Sequence, residues 1–260
     1  MRIPLYQVDA FTGRGLSGNP AAVCPLPHWL AEATMQAIAA ENDLAETAFF
    51  VRDGGGYEIR WFTPVQEIDL CGHATLASAH VVFHQLDPSA RAVTFRSKSG
   101  PLTVTRDGER LTLDFPARPP AACDRPAAID RALGRSPREV LRARDYLAVF
   151  ESEDEVRSLA PLMDEVASLD ALGVIATAPG RGADFVSRFF APRAGVPEDP
   201  VTGSAHCTLT PYWSVLLGRK KLHALQVSRR GGELWCEDRG ERVLISGRAV
   251  RYLEGTIEVE

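Results

Sequence analysis

The chain has 260 residues, of which 45% are hydrophobic and 24% charged, the proportions of an ordinary globular protein. Its formal net charge is −5, and without a basic stripe to contact phosphates it is not expected to bind nucleic acid. No run approaches the roughly 18 apolar residues that span a bilayer, and the N-terminus lacks a secretion signal's apolar core. The five scattered cysteines lack zinc-site spacing, so we expect a cytoplasmic protein with reduced thiols and no metal.

The first elements in chain order are a surface helix and a hairpin. Residues 30–41 are predicted to form the helix. Residues 46–51 are rich in β-favouring side chains and stop at the glycines 54–56, after which residues 57–62 resume as a strand. Residues 73–86 are apolar on nearly every face, which is typical of a buried helix.

A second hairpin and a proline-rich segment follow. Residues 102–105 and 110–115 are predicted to pair as strands. Residues 116–120 read PARPP, which indicates an interdomain linker. Beyond it we expect a surface helix around residues 151–160 and a second buried helix over residues 204–217.

Pro211 lies inside the second buried helix, where it removes a backbone hydrogen bond and clashes with the preceding turn. We therefore expect a kink at this position. The tail of the chain predicts three strands, over residues 232–237, 241–245 and 247–259.

An internal repeat organises these elements. Residues 60–64 read RWFTP and residues 188–192 read RFFAP, and each copy is followed by an acidic loop. The loops open into similar turns, CGHA at residues 71–74 and TGSA at residues 202–205, and each turn precedes one of the buried helices. Two copies indicate a duplicated domain rather than a solenoid.

The repeat predicts an α+β fold with two pseudo-symmetric lobes, each a curved and mostly antiparallel sheet wrapped around a central buried helix. The N-terminal lobe is predicted to cover residues 1–116 and to be able to receive the C-terminal strand. The C-terminal lobe is predicted to cover residues 117–260, with the active-site cleft between the two.

The two glycine-containing turns are candidate binding elements. A helix that begins at Gly72 or Gly203 presents free N–H groups and the positive end of its dipole, and glycine lets a ligand approach closely. Two such helix starts could hold a substrate carboxylate. Each turn taken alone is more typical of an ordinary helix start that uses glycine for packing, but their equivalent places in the repeat favour the binding interpretation.

Five segments resemble the phenazine-biosynthesis PhzF-like family: residues 8–12 (VDAFT), 17–23 (SGNPAAV), 42–47 (NDLAET), 71–75 (CGHAT) and 198–205 (EDPVTGSA). The resemblance implies a fold like that of diaminopimelate epimerase, a homodimer, and a cofactor-independent isomerase acting on a small carboxylated substrate. The family's best-known member isomerises a dihydro-hydroxyanthranilate in phenazine synthesis.

The resemblance also implies the roles of site residues. Glu46 would shuttle the proton. The substrate site would be lined by His73, Asp199 and Ser204, and the amides at Gly72 and Gly203 would bind the carboxylate.

The chemistry of Glu46 agrees with such a role, because a partly shielded carboxylate can accept a proton and return it. The alternative is a capping box, Asp43-x-x-Glu46, at the start of a helix. That helix would have to continue through β-favouring residues into three glycines, so the strand is the stronger prediction.

The other candidates also have structural alternatives. His73 could be a helix-start residue, Asp199 could cap the turn before Pro200, and otherwise it would orient the substrate or His73. Ser204 could be an N-cap residue. Asn19 is predicted to lie in a tight turn, in a loop that closes one side of the cleft.

Two other functions compete with the isomerase. Related racemases and epimerases use a thiol at each of the two equivalent turns, but here Cys71 has Thr202 as its counterpart. A threonine hydroxyl is too weakly acidic to replace a thiol, so a two-thiol mechanism is disfavoured and Cys71 is expected to be a small buried residue. The other alternative is a non-catalytic protein that binds a carboxylated metabolite.

Overall fold

The computed structural model describes residues 1–259, which form two compact units. The first unit comprises Met1–Asp114 together with the chain from Ser246 onward, and the second comprises Phe115–Ile245. The boundary lies close to the predicted linker at residues 116–120, and the last strand returns to the first unit.

The strands up to the boundary are β1 (Arg2–Ala10), β2 (Asn19–Leu26), β3 (Glu46–Asp53), β4 (Gly56–Phe62), β5 (Glu67–Ile68), β6 (Ala92–Ser97), β7 (Gly100–Asp107) and β8 (Arg110–Pro116). Those that follow are β9 (Ala121–Ala122), β10 (Glu139–Arg142), β11 (Tyr146–Val149), β12 (Val174–Pro179), β13 (Phe185–Ala191), β14 (Val196–Asp199), β15 (Lys221–Gln226), β16 (Gly232–Asp238), β17 (Arg242–Gly247) and β18 (Ala249–Glu258). The α-helices are α1 (Glu32–Asn42), α2 (Gly72–Val81), α3 (Ile129–Leu133), α4 (Glu153–Ser158), α5 (Met163–Ser168) and α6 (Gly203–Leu217).

The first unit is a mostly antiparallel sheet. Strands β18, β1 and β2 pair antiparallel, β2 pairs parallel with β3, and β3 pairs antiparallel with β4. Strand β4 then pairs antiparallel with the short β5 and parallel with β6, and β6, β7 and β8 continue antiparallel. The predicted hairpins at residues 46–62 and 102–115 are therefore confirmed.

The second unit repeats this order of pairings. Strand β11 pairs parallel with β12, β12 antiparallel with β13, and β13 antiparallel with the short β14. Strand β13 also pairs parallel with β15, which pairs antiparallel with β16. The duplication read from the sequence is thus visible in the topology of each unit, since β11–β16 reproduce the pairing order of β2–β7.

Helix α2 forms the core of the first unit, as its apolar surface predicts. Eight of its residues are buried: His73, Ala74, Thr75, Leu76, Ala77, Ser78, Ala79 and Val81. The helix continues as a wider π-helical turn over Val82–Leu86, so the predicted helix over residues 73–86 is present but changes its winding in the last turn.

Helix α6 is buried over most of its length, with Trp213 only 1% exposed. Its last turn differs from the prediction of a fully buried helix, because Val215 is 83% and Leu216 53% exposed. Apolar side chains at the end of a helix cannot be assigned to the core from their hydropathy alone, since they can project beyond the neighbouring elements.

The helix passes through Pro211 without a break. Proline has no N–H, so the carbonyl of Cys207 one turn earlier loses its helical partner. The backbone N–H of Arg118 donates to that carbonyl at 2.9 Å. The proline-rich segment after β8 therefore satisfies the oxygen that Pro211 leaves open, and the N–H of Ala117 likewise bonds to the carbonyl of Glu241.

Matching ion pairs occupy equivalent places in the two copies of the repeat. Arg60 on β4 forms a two-bond ion pair with Glu67 on β5, with N–O distances of 2.7 Å. Arg188 on β13 does the same with Glu198 on β14, at 2.7 and 2.9 Å. Both arginine side chains are at least four-fifths buried, since they are 18% and 12% exposed. Such forked pairs fix the geometry of the loops that lead into α2 and α6.

The Arg60–Glu67 pair predicts a pH-dependent contribution to stability. Hydrogen bonds from Arg60 lower the pKa of Glu67 from 4.5 to about 2. A carboxyl group whose pKa is lower in the folded than in the unfolded protein stabilises the fold at pH values above its unfolded-state pKa. This stabilisation is lost as the pH falls toward the folded-state pKa. We expect Glu67→Gln to lose about 2–3 kcal/mol of unfolding free energy at pH 7, with the difference shrinking between pH 4.5 and 2. Urea unfolding at several pH values measures this, and a difference that grows on acidification would contradict it.

The surface helices are partly as predicted. Helix α1 matches the expected helix at residues 30–41, and α4 is shorter than the helix expected around residues 151–160. Two short helices, α3 and α5, were not predicted, because five or six residues are too few for a clear helical periodicity. No helix in residues 1–259 is long and apolar enough to cross a membrane.

Candidate active site

Glu46 is the first residue of strand β3 and lies opposite Ala21 of the parallel strand β2. Its side chain is 13% exposed. Asp43 adopts the left-handed conformation at the end of α1, with φ 49°, and therefore terminates a helix instead of beginning one. The capping-box interpretation of Glu46 is wrong, because the β-favouring residues after it form the strand.

His73 lies directly beside Glu46. It is the second residue of α2, and its side chain is 6% exposed. Nε2 of His73 is 3.0 Å from Oε2 of Glu46. The two groups do not align as an ideal hydrogen bond, and the contact is best described as a close electrostatic pair. On its other side, Nδ1 of His73 is 3.5 Å from Sγ of Cys71.

The protonation of this cluster follows from its burial. Burial is the largest influence on the pKa of the Cys71 thiol and raises it, and the nearby Glu46 carboxylate raises it further. Cys71 is therefore a neutral thiol near pH 7. Burial alone would lower the pKa of His73, but the adjacent Cys71 and Glu46 side chains more than offset this, and the pKa lies well above its ordinary value.

The arrangement places a carboxylate and an imidazole where a proton can be held and passed on. Both side chains are largely shielded from water, and both belong to groups that commonly act as general acids and bases. One donor atom each from Glu46, Cys71 and His73 also lies within 4.8 Å of the other two, so these three side chains could together hold a metal ion.

At both predicted helix starts, the side chain of the N-cap residue makes no capping hydrogen bond to the helix. Cys71 precedes α2 and Thr202 precedes α6, both in extended conformation, and neither side chain accepts a hydrogen bond from the first turn. Gly72 and Gly203 are the first residues of these helices. Each helix therefore presents first-turn N–H groups that a carboxylate could bind.

Ser204 is the second residue of α6, so the N-cap interpretation is wrong: Thr202 holds that position. The Ser204 hydroxyl accepts a hydrogen bond from Nη2 of Arg144 at 3.2 Å. Asp145, which is 2% exposed, accepts two hydrogen bonds from Arg144 at 3.0 and 2.8 Å. No spacing in the sequence relates Arg144 to Ser204, so this arginine could not be predicted as part of the site.

Asp199 is the last residue of β14, and its Oδ2 accepts a hydrogen bond from the Thr202 hydroxyl at 2.5 Å. The buried side chain of Gln226 accepts from the Thr202 N–H and donates to the Asp199 carbonyl, both at 2.8 Å. The turn before α6 is therefore held by Gln226, a second residue that was not predicted from the sequence. Only strand pairing across the second unit brings it there.

Asn19 does not lie in a loop. It is fully buried, begins strand β2 and pairs with Ala10 of β1. The turn precedes it at Gly18, which has φ 69° and whose hypothetical Cβ would stand 2.3 Å from the Ala10 carbonyl oxygen. The prediction of a loop at Asn19 is wrong, because the Gly-Asn-Pro pattern marks the end of the turn and the start of the strand.

The position in the second copy of the repeat that corresponds to Cys71 is not a thiol. The counterpart of Cys71 is Thr202, as the sequence indicates. Cys207 lies one turn into α6, and burial raises its pKa to about 11. A thiol with so high a pKa is a poor proton acceptor near neutral pH.

The family model for phenazine biosynthesis-like proteins (PhzC-PhzF) matches residues 8–255. Two proteins of Pseudomonas aeruginosa, both named uncharacterized isomerases, are 52% and 49% identical to the chain, with all of each chain covered. A crystal structure of a PhzF-family phenazine biosynthesis protein from Enterococcus faecalis is 46% identical and superposes with a TM-score of 0.98 over the whole of both chains. These relatives support an isomerase.

The fold extends to more distant proteins. A predicted epimerase of Pseudomonas aeruginosa is 20% identical, with 99% of this chain and 100% of that one covered and a TM-score of 0.78, a likeness of fold alone. The matched segment 8–255 contains every block on which the resemblance rests and both copies of the repeat. The chain belongs to the phenazine biosynthesis-like (PhzF) family.

Proposed function

We propose that this protein is a cofactor-independent isomerase that moves a proton on a small cyclic carboxylic acid, with Glu46 as the acid and base. The observation that carries the proposal is the Glu46 carboxylate held 3.0 Å from the buried imidazole of His73. Family membership supports the isomerase, and the geometry of the pair supports the choice of Glu46.

Moving a proton between two atoms of a substrate needs a group that accepts it at one position and returns it at another. A carboxylate at the edge of a buried cluster can do both, because its charged and neutral forms are both accessible there. His73 would stabilise the carboxylate while it is charged and donate toward a developing enol oxygen. The pair therefore supplies the two functions that proton transfer next to a carbonyl or carboxyl group requires.

Substrate binding is the second part of the proposal. The uncapped first turn at Gly72, in the same unit as Glu46 and His73, would bind the substrate carboxylate, and the first turn at Gly203 offers the same kind of anion site in the second unit. Ser204 and Asp199 would orient polar groups of the substrate. The bonds that Arg144 makes to Ser204, and Thr202 to Asp199, support these roles because they fix both side chains in place.

Uptake of solvent deuterium tests the proposal. The protein would be incubated in D2O with a panel of small cyclic carboxylic acids, and exchange would be followed by proton NMR. An isomerase replaces a carbon-bound proton of its substrate, whereas a binding protein shifts or broadens ligand signals without exchange. Binding without exchange across the panel would favour the metabolite-binding alternative.

Asp199→Asn is expected to raise KM more than it lowers kcat, because the change removes a charge that orients the substrate and leaves Glu46 intact. The amide can still accept the hydrogen bond from Thr202 at 2.5 Å, so the turn should keep its fold. Steady-state kinetics and thermal melting measure both effects. A fall in kcat as large as that of a Glu46 variant would instead place Asp199 in the proton transfer.

A further inference from the structure

The cluster at Glu46 combines three different metal-ligating groups. Carboxylate, thiolate and imidazole all bind Zn²⁺, with bonds of about 2.0–2.3 Å, so their donor atoms stand roughly 3.5 Å apart in a tetrahedral site. Here Oε2 of Glu46 is 3.0 Å from Nε2 of His73, Sγ of Cys71 is 3.5 Å from Nδ1 of the same ring, and one donor atom of each residue lies within 4.8 Å of the other two. An ion bonds to only one ring nitrogen, so binding requires the His73 ring to turn until that nitrogen faces both the carboxylate and the thiolate.

The charges of the cluster also fit a dication. A metal bound by the Glu46 carboxylate and the Cys71 thiolate would meet two negative charges, so that the site is neutral as a whole. Neutrality matters here because Cys71 and His73 are 6% and 5% exposed, and an unbalanced charge at such burial is strongly unfavourable. Coordination deprotonates both the Cys71 thiol and the protonated His73 ring, and the two protons leave to solvent.

We propose that Glu46, Cys71 and His73 form a binding site for a thiophilic dication such as Zn²⁺ or Cd²⁺, and that the bound ion inhibits the enzyme. Inhibition follows because the ion occupies the lone pairs of Glu46 and His73 that proton transfer needs. Only the inhibition rests on the proposed function; the binding rests on the three ligands. A change at Cys71 distinguishes ion binding from catalysis, since Cys71 is a ligand for the ion but has no part in the proposed proton transfer.

Titration with Cd²⁺ tests the binding without any substrate. Thiolate-to-cadmium charge transfer absorbs in the ultraviolet and reports the Cys71 ligand directly. The native protein should bind one Cd²⁺ with this band. Cys71→Ala should lose the band. Its affinity for Cd²⁺ should fall by at least roughly 10- to 100-fold, because mutation of a residue that only hydrogen-bonds to a metal ligand already has an effect of that size. Cys123→Ala is the matched control and should retain both, because the half-buried Cys123 belongs to the second unit, where its thiol donates to the Val140 carbonyl at 3.8 Å, and is not part of the cluster at Glu46.

The outcomes are decisive. A native protein without the band, or a Cys71→Ala variant with native affinity for Cd²⁺, would overturn the site. Turnover that persists at saturating Cd²⁺ would overturn the inhibition, whereas inhibition of the native enzyme but not of Cys71→Ala would support both parts. If Glu46→Gln exchanges deuterium normally, the proposed function fails, yet the cadmium titration still decides whether the site exists.

Discussion

Glu46→Gln is expected to lower turnover by roughly 100- to 10,000-fold and to leave substrate affinity nearly unchanged. Glutamine keeps the size of the side chain and can still contact His73, but it cannot accept a proton and return it. Because Glu46 is the first residue of β3 and only its side chain is changed, the strand pairing with β2 should persist. Turnover, KM and thermal melting of the variant measure the three parts of this prediction.

Cys71→Ala is the control for that experiment, since it alters the same cluster without removing a proton carrier. Loss of one buried sulfur should lower the unfolding free energy by about 1–2 kcal/mol and leave most of the activity. A normal Glu46→Gln enzyme together with a folded but inactive Cys71→Ala enzyme would replace the carboxylate mechanism with a thiol mechanism.

The second large effect is expected in the core of the second unit. Trp213 on α6 is 1% exposed. Its ring stacks on that of Phe185, with 5.5 Å between the ring centroids and an interplanar angle of 2°. Its Nε1 donates a hydrogen bond to the Thr177 hydroxyl at 3.0 Å. Trp213→Ala should lower the unfolding free energy by about 3–5 kcal/mol, because the indole leaves a cavity that the sheet cannot fill. That is a large part of the roughly 5–15 kcal/mol that stabilises a typical protein.

Trp213→Phe provides the matched control. Phenylalanine retains a ring against Phe185 but loses the bond to Thr177, whose hydroxyl still donates to the Val186 carbonyl at 2.7 Å. We expect a loss of about 1–2 kcal/mol, from one hydrogen bond and a smaller ring. Urea unfolding compares the three proteins. Equal midpoints for Trp213→Ala and the native chain would show that α6 is not anchored by this residue.

The repeat in the sequence predicted much of the fold, because each copy of the repeat forms the same local structure. Arg60 and Arg188 recur before similar acidic loops, and each forms the same forked pair with a carboxylate on the next short strand. The strand at Glu46 was predictable from its β-favouring residues and the glycines after them. Buried helices at α2 and α6 followed from their apolar surfaces.

Other features depend on contacts that are distant in the sequence. Arg144 reaches Ser204 across 60 positions, and Gln226 reaches Thr202 across 24. The carbonyl freed by Pro211 finds its partner in Arg118, which no local pattern relates to the helix. Such contacts arise when strands pair and helices pack, so neither periodicity nor turn propensity could predict them.

The most direct test of the central claim compares deuterium uptake by native protein and by Glu46→Gln, with one substrate from the panel at saturating concentration. Proton NMR follows loss of the substrate's carbon-bound proton signal, and the variant's ligand shifts confirm that it still binds. We expect exchange by the native protein and exchange at least about 100-fold slower in the variant. Exchange at the native rate in a folded, substrate-bound Glu46→Gln protein would contradict it.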